Sequence, residues 1–204
     1  MKKILAFGDS NTWGFDSSTI GRFDSDTRWT GLLQKALGND VLIIEEGLCG
    51  RTTVFDDGSF AGMNGYAELP AILEANQPLD AAIIMLGTND CKTVFKATSQ
   101  DIAAGMEKCI KRIFGYVKPE SVLIISPLYM EKAALKFDCD ERSLAVSREL
   151  KQAFKDLADR YGTAFLAASD VAKAGEADGQ HLTSEGHRAL YEAVLNIIGS
   201  MNIL

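Results

Sequence analysis

Several residue patterns are scarce or absent in this sequence, and each absence excludes a class of protein. The cysteines are scattered without paired spacing, at Cys49, Cys91, Cys109 and Cys139. We therefore expect free thiols rather than a disulfide framework. The apolar stretch Ile4–Phe7 is far shorter than the ~7–15 residues of a signal-peptide core, so a cytoplasmic location is expected.

Other missing patterns exclude cofactors and several kinds of partner. No segment approaches the ~20 apolar residues that span a bilayer. The chain lacks the glycine-rich and lysine motifs of nucleotide sites. Its two histidines, without clustered carboxylates or thiols, do not make a metal ligand set. With a net charge of −7 and no run of lysine and arginine, a nucleic-acid partner is not expected.

The composition that remains is that of a globular protein. Hydrophobic residues make up 47% of the 204 positions and charged residues 24%. A chain of this length buries enough surface for one self-supporting core. We therefore predict one domain over residues 1–204.

Short apolar runs alternate with helical patterns along the chain. Strands are predicted at Ile4–Phe7, Val41–Ile44, Ala81–Leu86, Val122–Ile125 and Ala164–Leu166. Helices are predicted at Trp29–Leu37, Tyr66–Ala75, from the Thr98 capping box to Val117, at Glu141–Tyr161, and from Thr183 or Ser184 onward. This order predicts an α/β fold of three layers, a five-stranded parallel sheet with helices on both faces. The loops Arg51–Gly65 and Pro127–Asp140 should border a site at the carboxyl ends of the strands.

Four polar clusters should meet at that edge of the sheet. They are Gly8–Gly14, Gly47–Thr53, Gly87–Asp90 and Asp178–His181. The residues they contain suit acyl transfer. Ser10 needs a base to become a nucleophile, and His181, with Asp178 three residues before it, can serve as that base. The backbone N–H groups of Ser10 and Gly50 and the amide of Asn89 can hold an oxyanion.

The same four clusters resemble the motif blocks of a known family, the SGNH (GDSL) hydrolases. GDS at Gly8–Ser10, Gly50, GTND at Gly87–Asp90 and DGQH at Asp178–His181 match in order and span nearly the whole chain. The stretches DSNTWG, EEGLCGRTTVFDDG and DGQHLTSEGH are most similar to the arylesterase/acyltransferase group. The resemblance implies a flavodoxin-like fold and a cofactor-free serine esterase for small acyl groups, with or without acyl transfer, that forms homo-oligomers.

Two positions depart from the family pattern. Asn11 stands where an aliphatic residue usually follows the serine, and Gly58 replaces a proline that usually follows the paired aspartates. The first departure bears on the shape or polarity of the substrate pocket. Asn11, Trp13 and Phe95 are predicted to line this pocket. For the aromatic residues Trp13, Phe15, Phe55 and Phe95, packing in the core is the alternative to lining the pocket.

Other polar residues near these motifs have simpler interpretations. His187 lies inside the last predicted helix and should be a packing or surface residue. Asp9 and Asp90 should fix their loops through backbone hydrogen bonds. Cys49 and Cys91 should be small core residues.

Three alternatives to a small-ester hydrolase stay open. A thioesterase or lysophospholipase would use the same residues on longer acyl groups, and a carbohydrate O-deacetylase would use them on acetylated sugars. A non-enzymatic, flavodoxin-like binding module would use Ser10 and His181 only to cap helices.

Overall fold

A parallel sheet forms the centre of the molecule in a computed structural model, which describes residues 1–56, 58 and 60–201. The strands are β1 (Lys2–Gly8), β2 (Phe15–Asp16), β3 (Gly21–Arg22), β4 (Val41–Gly47), β5 (Ala81–Met85), β6 (Val122–Ser126) and β7 (Ala164–Ala167). The five strands of the main sheet are parallel and lie in the order β4-β1-β5-β6-β7. The chain therefore reverses its direction of winding between β1 and β5, the switch point where doubly wound sheets bind ligands.

Helices cover both faces of this sheet. They are α1 (Ser10–Trp13), α2 (Trp29–Leu37), α3 (Gly65–Asn76), α4 (Ser99–Ile113), α5 (Glu141–Tyr161), α6 (Ala168–Val171) and α7 (Ser184–Ser200). Alternate residues of β1 point to opposite cores: Leu5 and Phe7 pack with α3, α4 and α5, whereas Ile4 and Ala6 pack with α2 and α7. The predicted three-layer α/β fold is confirmed.

Local signals account for most helix ends. The Thr98 side chain accepts from the backbone N–H of Asp101, whose carboxylate in turn accepts from the Thr98 N–H, so the predicted capping box begins α4. At the other end, α4 stops at Ile113, and Val117 packs into the core from the turn beyond it. The predicted extension of this helix to Val117 is therefore wrong: the apolar spacing continues although the helix does not.

A small antiparallel hairpin of β2 and β3, which the sequence patterns do not predict, lies between α1 and α2. Its strands are two residues each, too short for a periodic signal. A tertiary ion pair holds its second strand, because Glu45 of β4 binds Arg22 at 3.1 Å. The same carboxylate binds Arg28, which precedes α2, at 2.8 Å. The hairpin brings Phe15 to the carboxyl edge of the sheet.

Two expected absences can be compared with the structure. Throughout residues 1–56, 58 and 60–201, no helix has the length and apolar character needed to cross a membrane. All four cysteines lie in this part of the chain, and they are unpaired thiols there.

Candidate active site

Polar residues that follow three neighbouring strands meet at the carboxyl edge of the sheet. Ser10 begins α1 directly after β1, and Asn89 follows β5, its neighbour across the switch point. Gly50 follows β4 on the other side of β1. Asp178 and His181 reach the same edge from the loop before α7. The structure thus brings together five predicted site residues that are distant in sequence.

Ser10, His181 and Asp178 form a continuous chain of hydrogen bonds. The Oγ of Ser10 lies 2.7 Å from Nε2 of His181. On the other side of the ring, Nδ1 of His181 lies 2.5 Å from Oδ2 of Asp178. This geometry fits the tautomer with its proton on Nδ1, which leaves the lone pair of Nε2 to accept from the serine hydroxyl.

Both oxygens of the Asp178 carboxylate are engaged. Oδ2 faces the ring of His181, while Oδ1 accepts from the backbone N–H groups of Gln180 at 2.9 Å and His181 at 3.1 Å. Burial opposes the charged form, but the hydrogen bond and charge of His181, with these backbone donors, outweigh it and lower the pKa of Asp178. Asp178 is therefore an ionised carboxylate that fixes the orientation of the imidazole.

Gly50 and Asn89 border the space in front of Ser10. Gly50 has a φ of 88°, and a Cβ there would lie 2.9 Å from the Sδ of Met63, so both the backbone and the packing favour glycine. The side-chain amide of Asn89 is buried and donates to the carbonyl of Arg51 at 3.1 Å. That bond fixes the amide plane at the cavity wall.

Asp9 and Asp90, which adjoin these residues, hold their loops in place. Asp9 caps α1 by accepting from the N–H of Asn11 at 2.9 Å. Asp90 accepts from the N–H of Thr53 at 2.9 Å and from its hydroxyl at 2.5 Å. Burial raises the pKa of each carboxyl to about 6, against these hydrogen bonds. Their predicted role in fixing the loops is confirmed.

A cavity of about 300 Å³ opens beside Ser10. Its lining consists of Ser10, Phe15, Cys49, Gly50, Asn89, Lys92, Phe137, Asp138, Asp178, Gln180 and His181. The ring of Phe15 packs on the imidazole of His181, with centroids 4.7 Å apart and planes at 56°. The cavity thus combines aromatic walls with amide and charged groups around the serine.

Three predicted pocket residues lie elsewhere, and among the described residues they do not line this cavity. Asn11 is buried behind Ser10, where its side chain binds backbone groups. The guanidinium of Arg22 lies over the ring of Trp13, with Cζ 5.1 Å from the ring centroid. The ring of Phe95 packs on that of Phe55, with their centroids 5.1 Å apart. Of the aromatic residues considered from the sequence, Phe15 is the one that reaches the cavity.

Four lining residues are not among the individually predicted pocket residues: Lys92, Phe137, Asp138 and Gln180. Phe137 and Asp138 belong to the loop Pro127–Asp140, whose predicted place at the border of the site is confirmed. Gln180 lies within the motif that ends in the histidine, which is a usable signal. For Lys92 the sequence offers none, because its approach depends on contacts between loops.

Cys49 and Cys91 differ in their surroundings. Cys91 is buried in the core, as expected, whereas Cys49 is half-buried at the cavity wall. Burial raises the pKa of both thiols.

Gly58, the other departure from the family pattern, has a φ of 73° that a proline ring cannot adopt. Asp57, the second of the paired aspartates, lies outside the described residues.

His187 is a packing residue, as predicted. It is 0% exposed, and its Nδ1 accepts from the N–H of Trp29 at 3.3 Å. Its ring meets that of Phe23 edge-on at 5.2 Å. No group of three metal-ligating side chains occurs among the residues that the structure describes.

The site has a serine that is hydrogen-bonded to an imidazole–carboxylate pair, and it lies at the carboxyl edge of a doubly wound α/β sheet. This is the arrangement of a serine hydrolase. Residues 6–189 match the model of the GDSL-like lipase/acylhydrolase family. The chain belongs to this family and is a serine ester hydrolase, which confirms the resemblance carried by its motifs.

Solved structures of esterases have the same fold. An aryl esterase of M. smegmatis is 35% identical and superposes with a TM-score of 0.90, over 98% of this chain and 100% of its own. Est24, a carbohydrate acetylesterase from Sinorhizobium meliloti, is 34% identical with a TM-score of 0.90, over 98% of this chain and 99% of its own. A comparison with curated proteins gives no significant match.

Proposed function

We propose that this protein hydrolyses carboxylic esters of small acyl groups, of the acetyl and aryl ester type, through an acyl-enzyme formed on Ser10. The observation that carries the proposal is the 2.7 Å contact between the Ser10 hydroxyl and Nε2 of His181. It is supported by the 2.5 Å contact between Nδ1 of the same ring and Asp178.

The first step forms the acyl-enzyme. The Oγ of Ser10 attacks the ester carbonyl carbon while Nε2 of His181 takes the hydroxyl proton. When the tetrahedral intermediate collapses, the bond to the alcohol or phenol breaks and His181 returns the proton to that oxygen. Asp178 stays ionised and stabilises the imidazolium.

The second step releases the acyl group. His181 removes a proton from water, or from another acyl acceptor, as its oxygen attacks the acyl carbonyl carbon. The Ser10–acyl bond breaks, and Oγ recovers the proton from Nε2. Both steps pass through an oxyanion, for which we assign the N–H groups of Ser10 and Gly50 and the amide of Asn89 as donors. No step requires a cofactor.

The size of the cavity supports small acyl groups. Its volume of about 300 Å³ lies at the lower end of the ~300–1,000 Å³ typical of ligand pockets. Phe15 and Phe137 offer apolar walls to an acyl or aryl group. A thioesterase or lysophospholipase, the first alternative, would need room for a longer chain. The family assignment favours an enzyme over the non-enzymatic binding module.

A carbohydrate O-deacetylase is the second candidate, for two reasons. Est24, with 34% identity to this chain, is described as a carbohydrate acetylesterase. The cavity rim also pairs the aromatic ring of Phe137 with the polar groups of Lys92, Asp138 and Gln180. Such a rim can stack on a sugar ring, while Lys92 and Gln180 donate hydrogen bonds to its hydroxyls and Asp138 accepts from them.

A substrate panel tests these candidates directly. It contains p-nitrophenyl esters of rising acyl length, an acyl-CoA and acetylated sugars, each with wild type and Ser10→Ala. We expect kcat/KM to be highest for acetyl esters and to fall with chain length. Preference for long acyl chains or acyl-CoA would favour the thioesterase alternative, and preference for acetylated sugars would favour the deacetylase. Wild-type rates in Ser10→Ala would contradict the nucleophile assignment.

A further inference from the structure

Asn11 connects the segment that carries Ser10 with the segment that carries His181. Its side-chain Oδ1 accepts from the N–H of Leu182 at 2.9 Å, and its Nδ2 donates to the carbonyl of Gln180 at 3.2 Å. The two partners flank His181 on either side. A single amide therefore binds the histidine loop at two points, across 169 and 171 positions of sequence.

The rest of Asn11 is fixed as firmly as its side chain. Its N–H donates to Oδ1 of Asp9 at 2.9 Å, and its carbonyl accepts from Nε1 of Trp29 at 3.1 Å. Asn11 is only 3% exposed, and Trp29 is fully buried. Because both backbone groups are held, the side chain has little freedom to follow a displaced histidine loop.

The other backbone hydrogen bonds of the histidine loop lead away from Ser10. The carbonyl of His181 accepts from Gly175 at 2.8 Å, and the carbonyl of Gly179 accepts from Glu131 at 2.9 Å. These bonds shape the loop, but they do not determine its distance from the residue that follows β1. The Asn11 amide makes that connection next to the reacting atoms.

We propose that Asn11 is a positioning residue that sets the distance between Ser10 and His181 by clamping the backbone on both sides of the histidine. The inference rests on the proposed function of these two residues. It also gives a physical meaning to the departure from the family pattern, since an aliphatic side chain at position 11 could bind neither Gln180 nor Leu182. The departure thus concerns the spacing of the catalytic residues rather than the pocket wall.

Removal of the clamp should lower the rate of chemistry more than the affinity for substrate. In Asn11→Leu, the buried Leu182 N–H and the partly buried Gln180 carbonyl lose their partners, so the loop shifts until they find others. A displacement of about 1 Å between reacting groups is sufficient to cost roughly 10²-fold in rate. The cavity walls that other segments form, such as Lys92 and Phe137, should remain in place.

The chain offers a matched control in Gln34. Its side-chain amide donates to the carbonyl of Gly38 at 3.0 Å. It also bridges two further backbone groups, since it accepts from the N–H of Ile43 at 2.8 Å and donates to the carbonyl of Val41 at 2.9 Å. These partners flank Leu42 at the start of β4, the end of the strand opposite the active site. Gln34→Leu therefore removes the same kind of clamp without touching the histidine loop.

The experiment compares wild type, Asn11→Leu, Gln34→Leu and Ser10→Ala with an acetyl ester, together with the Tm of each. We expect kcat to fall about 100-fold in Asn11→Leu with KM changed by less than about threefold. The rate of Ser10 labelling by a fluorophosphonate should fall in parallel, because it needs the same proton transfer. Gln34→Leu should lower Tm and keep the wild-type kcat.

Several results would overturn the clamp. These are a kcat for Asn11→Leu within about threefold of wild type, a loss equal to that of Gln34→Leu, or a change confined to KM. If Asn11→Leu does not fold, Asn11→Asp takes its place. The aspartate keeps the acceptor for the Leu182 N–H but loses the donor to the Gln180 carbonyl, so we expect kcat to fall by about tenfold. A wild-type kcat in Asn11→Asp would refute the proposal. Wild-type turnover in Ser10→Ala would reject the proposed function and the clamp together, whereas an inactive Ser10→Ala with a normal Asn11→Leu rejects the clamp alone.

Discussion

The two histidines lie six positions apart in sequence but in opposite chemical environments. His181 lies at the cavity, with a carboxylate on one ring nitrogen and a hydroxyl on the other. His187 is fully buried in α7, where burial above all, and also the positive charge of Arg28, lowers its pKa to about 4. We infer that the environment, rather than the residue type, makes His181 the proton carrier of the proposed reaction, while it leaves His187 a neutral packing group.

The comparison also shows why the loop before α7 matters. Residues in the loop are free to turn their side chains toward the sheet edge, while those inside α7 must follow the face of the helix. His187 lies on the buried face and packs against Trp29 and Phe23.

Replacement of His181 should have the largest effect on activity. In His181→Ala the hydroxyl of Ser10 loses its proposed base, and kcat should fall by up to roughly 10⁶-fold, the loss known for the histidine of one serine protease. Steady-state hydrolysis of a p-nitrophenyl ester measures it, with circular dichroism as a check of folding. Substantial activity in this variant, combined with an inactive His187→Gln, would exchange the roles of the two histidines.

Loss of the charge on Asp178 should have the next largest effect. Asp178→Asn keeps the shape of the side chain but no longer favours the tautomer with its proton on Nδ1, so kcat should fall by about 10⁴-fold. The same ester assay detects it. A loss of less than tenfold would mean that the 2.5 Å contact with His181 orients nothing that the reaction needs.

Removal of one oxyanion donor should have a smaller effect. If Asn89 is an oxyanion donor, as we propose, Asn89→Ala should lower kcat by about 10²–10³-fold, because such a donor stabilises charge that develops only in the transition state. KM should change little. If instead KM rises and kcat is unchanged, Asn89 binds the ground-state substrate.

The smallest effect concerns stability and belongs to His187. Its pKa is about 4 in the folded protein, below the ordinary 6.5, so between these values the unfolded chain binds a proton that the folded chain does not. The contribution of His187 to the free energy of unfolding is fully present above pH 6.5. It is lost as the pH falls toward 4, and the total loss is roughly 3 kcal/mol. His187→Gln should keep most of its turnover and lose this pH dependence.

Urea unfolding of wild type and His187→Gln between pH 4.5 and 7.5 measures that difference. Asp9 and Asp90 act in the opposite direction, because burial raises their pKa to about 6 and the folded state then binds protons more readily. Their contribution is present in both proteins and cancels when the two curves are subtracted. Parallel curves for the two proteins would show that His187 does not titrate on unfolding.

Features with a local or repeated signal could be predicted from the sequence. The helix Trp29–Leu37 and the capping box at Thr98 were predicted to the residue, because apolar periodicity and caps are properties of neighbouring positions. The gathering of Ser10, Asn89 and His181 followed from the rule that parallel strands end at one edge of a sheet.

Features that depend on contacts between distant segments could not be predicted. The hairpin of β2 and β3 is held by Glu45, more than twenty positions away from its second strand. Asn11 is predicted to line the pocket because it is polar and follows Ser10, but its amide binds the backbone of a loop near the other end of the chain. Which of several aromatic residues reaches the cavity is likewise decided by tertiary packing, and only Phe15 among those considered does so within the described part of the molecule.

The most direct test of the account is to identify the residue that becomes acylated. The protein is mixed briefly with p-nitrophenyl acetate or a fluorophosphonate, quenched in acid, and mapped by peptide mass spectrometry. We predict a single adduct on Ser10 in wild type and in His187→Gln, and none in His181→Ala. An adduct on another residue, or equal labelling of Ser10 without His181, would contradict the account.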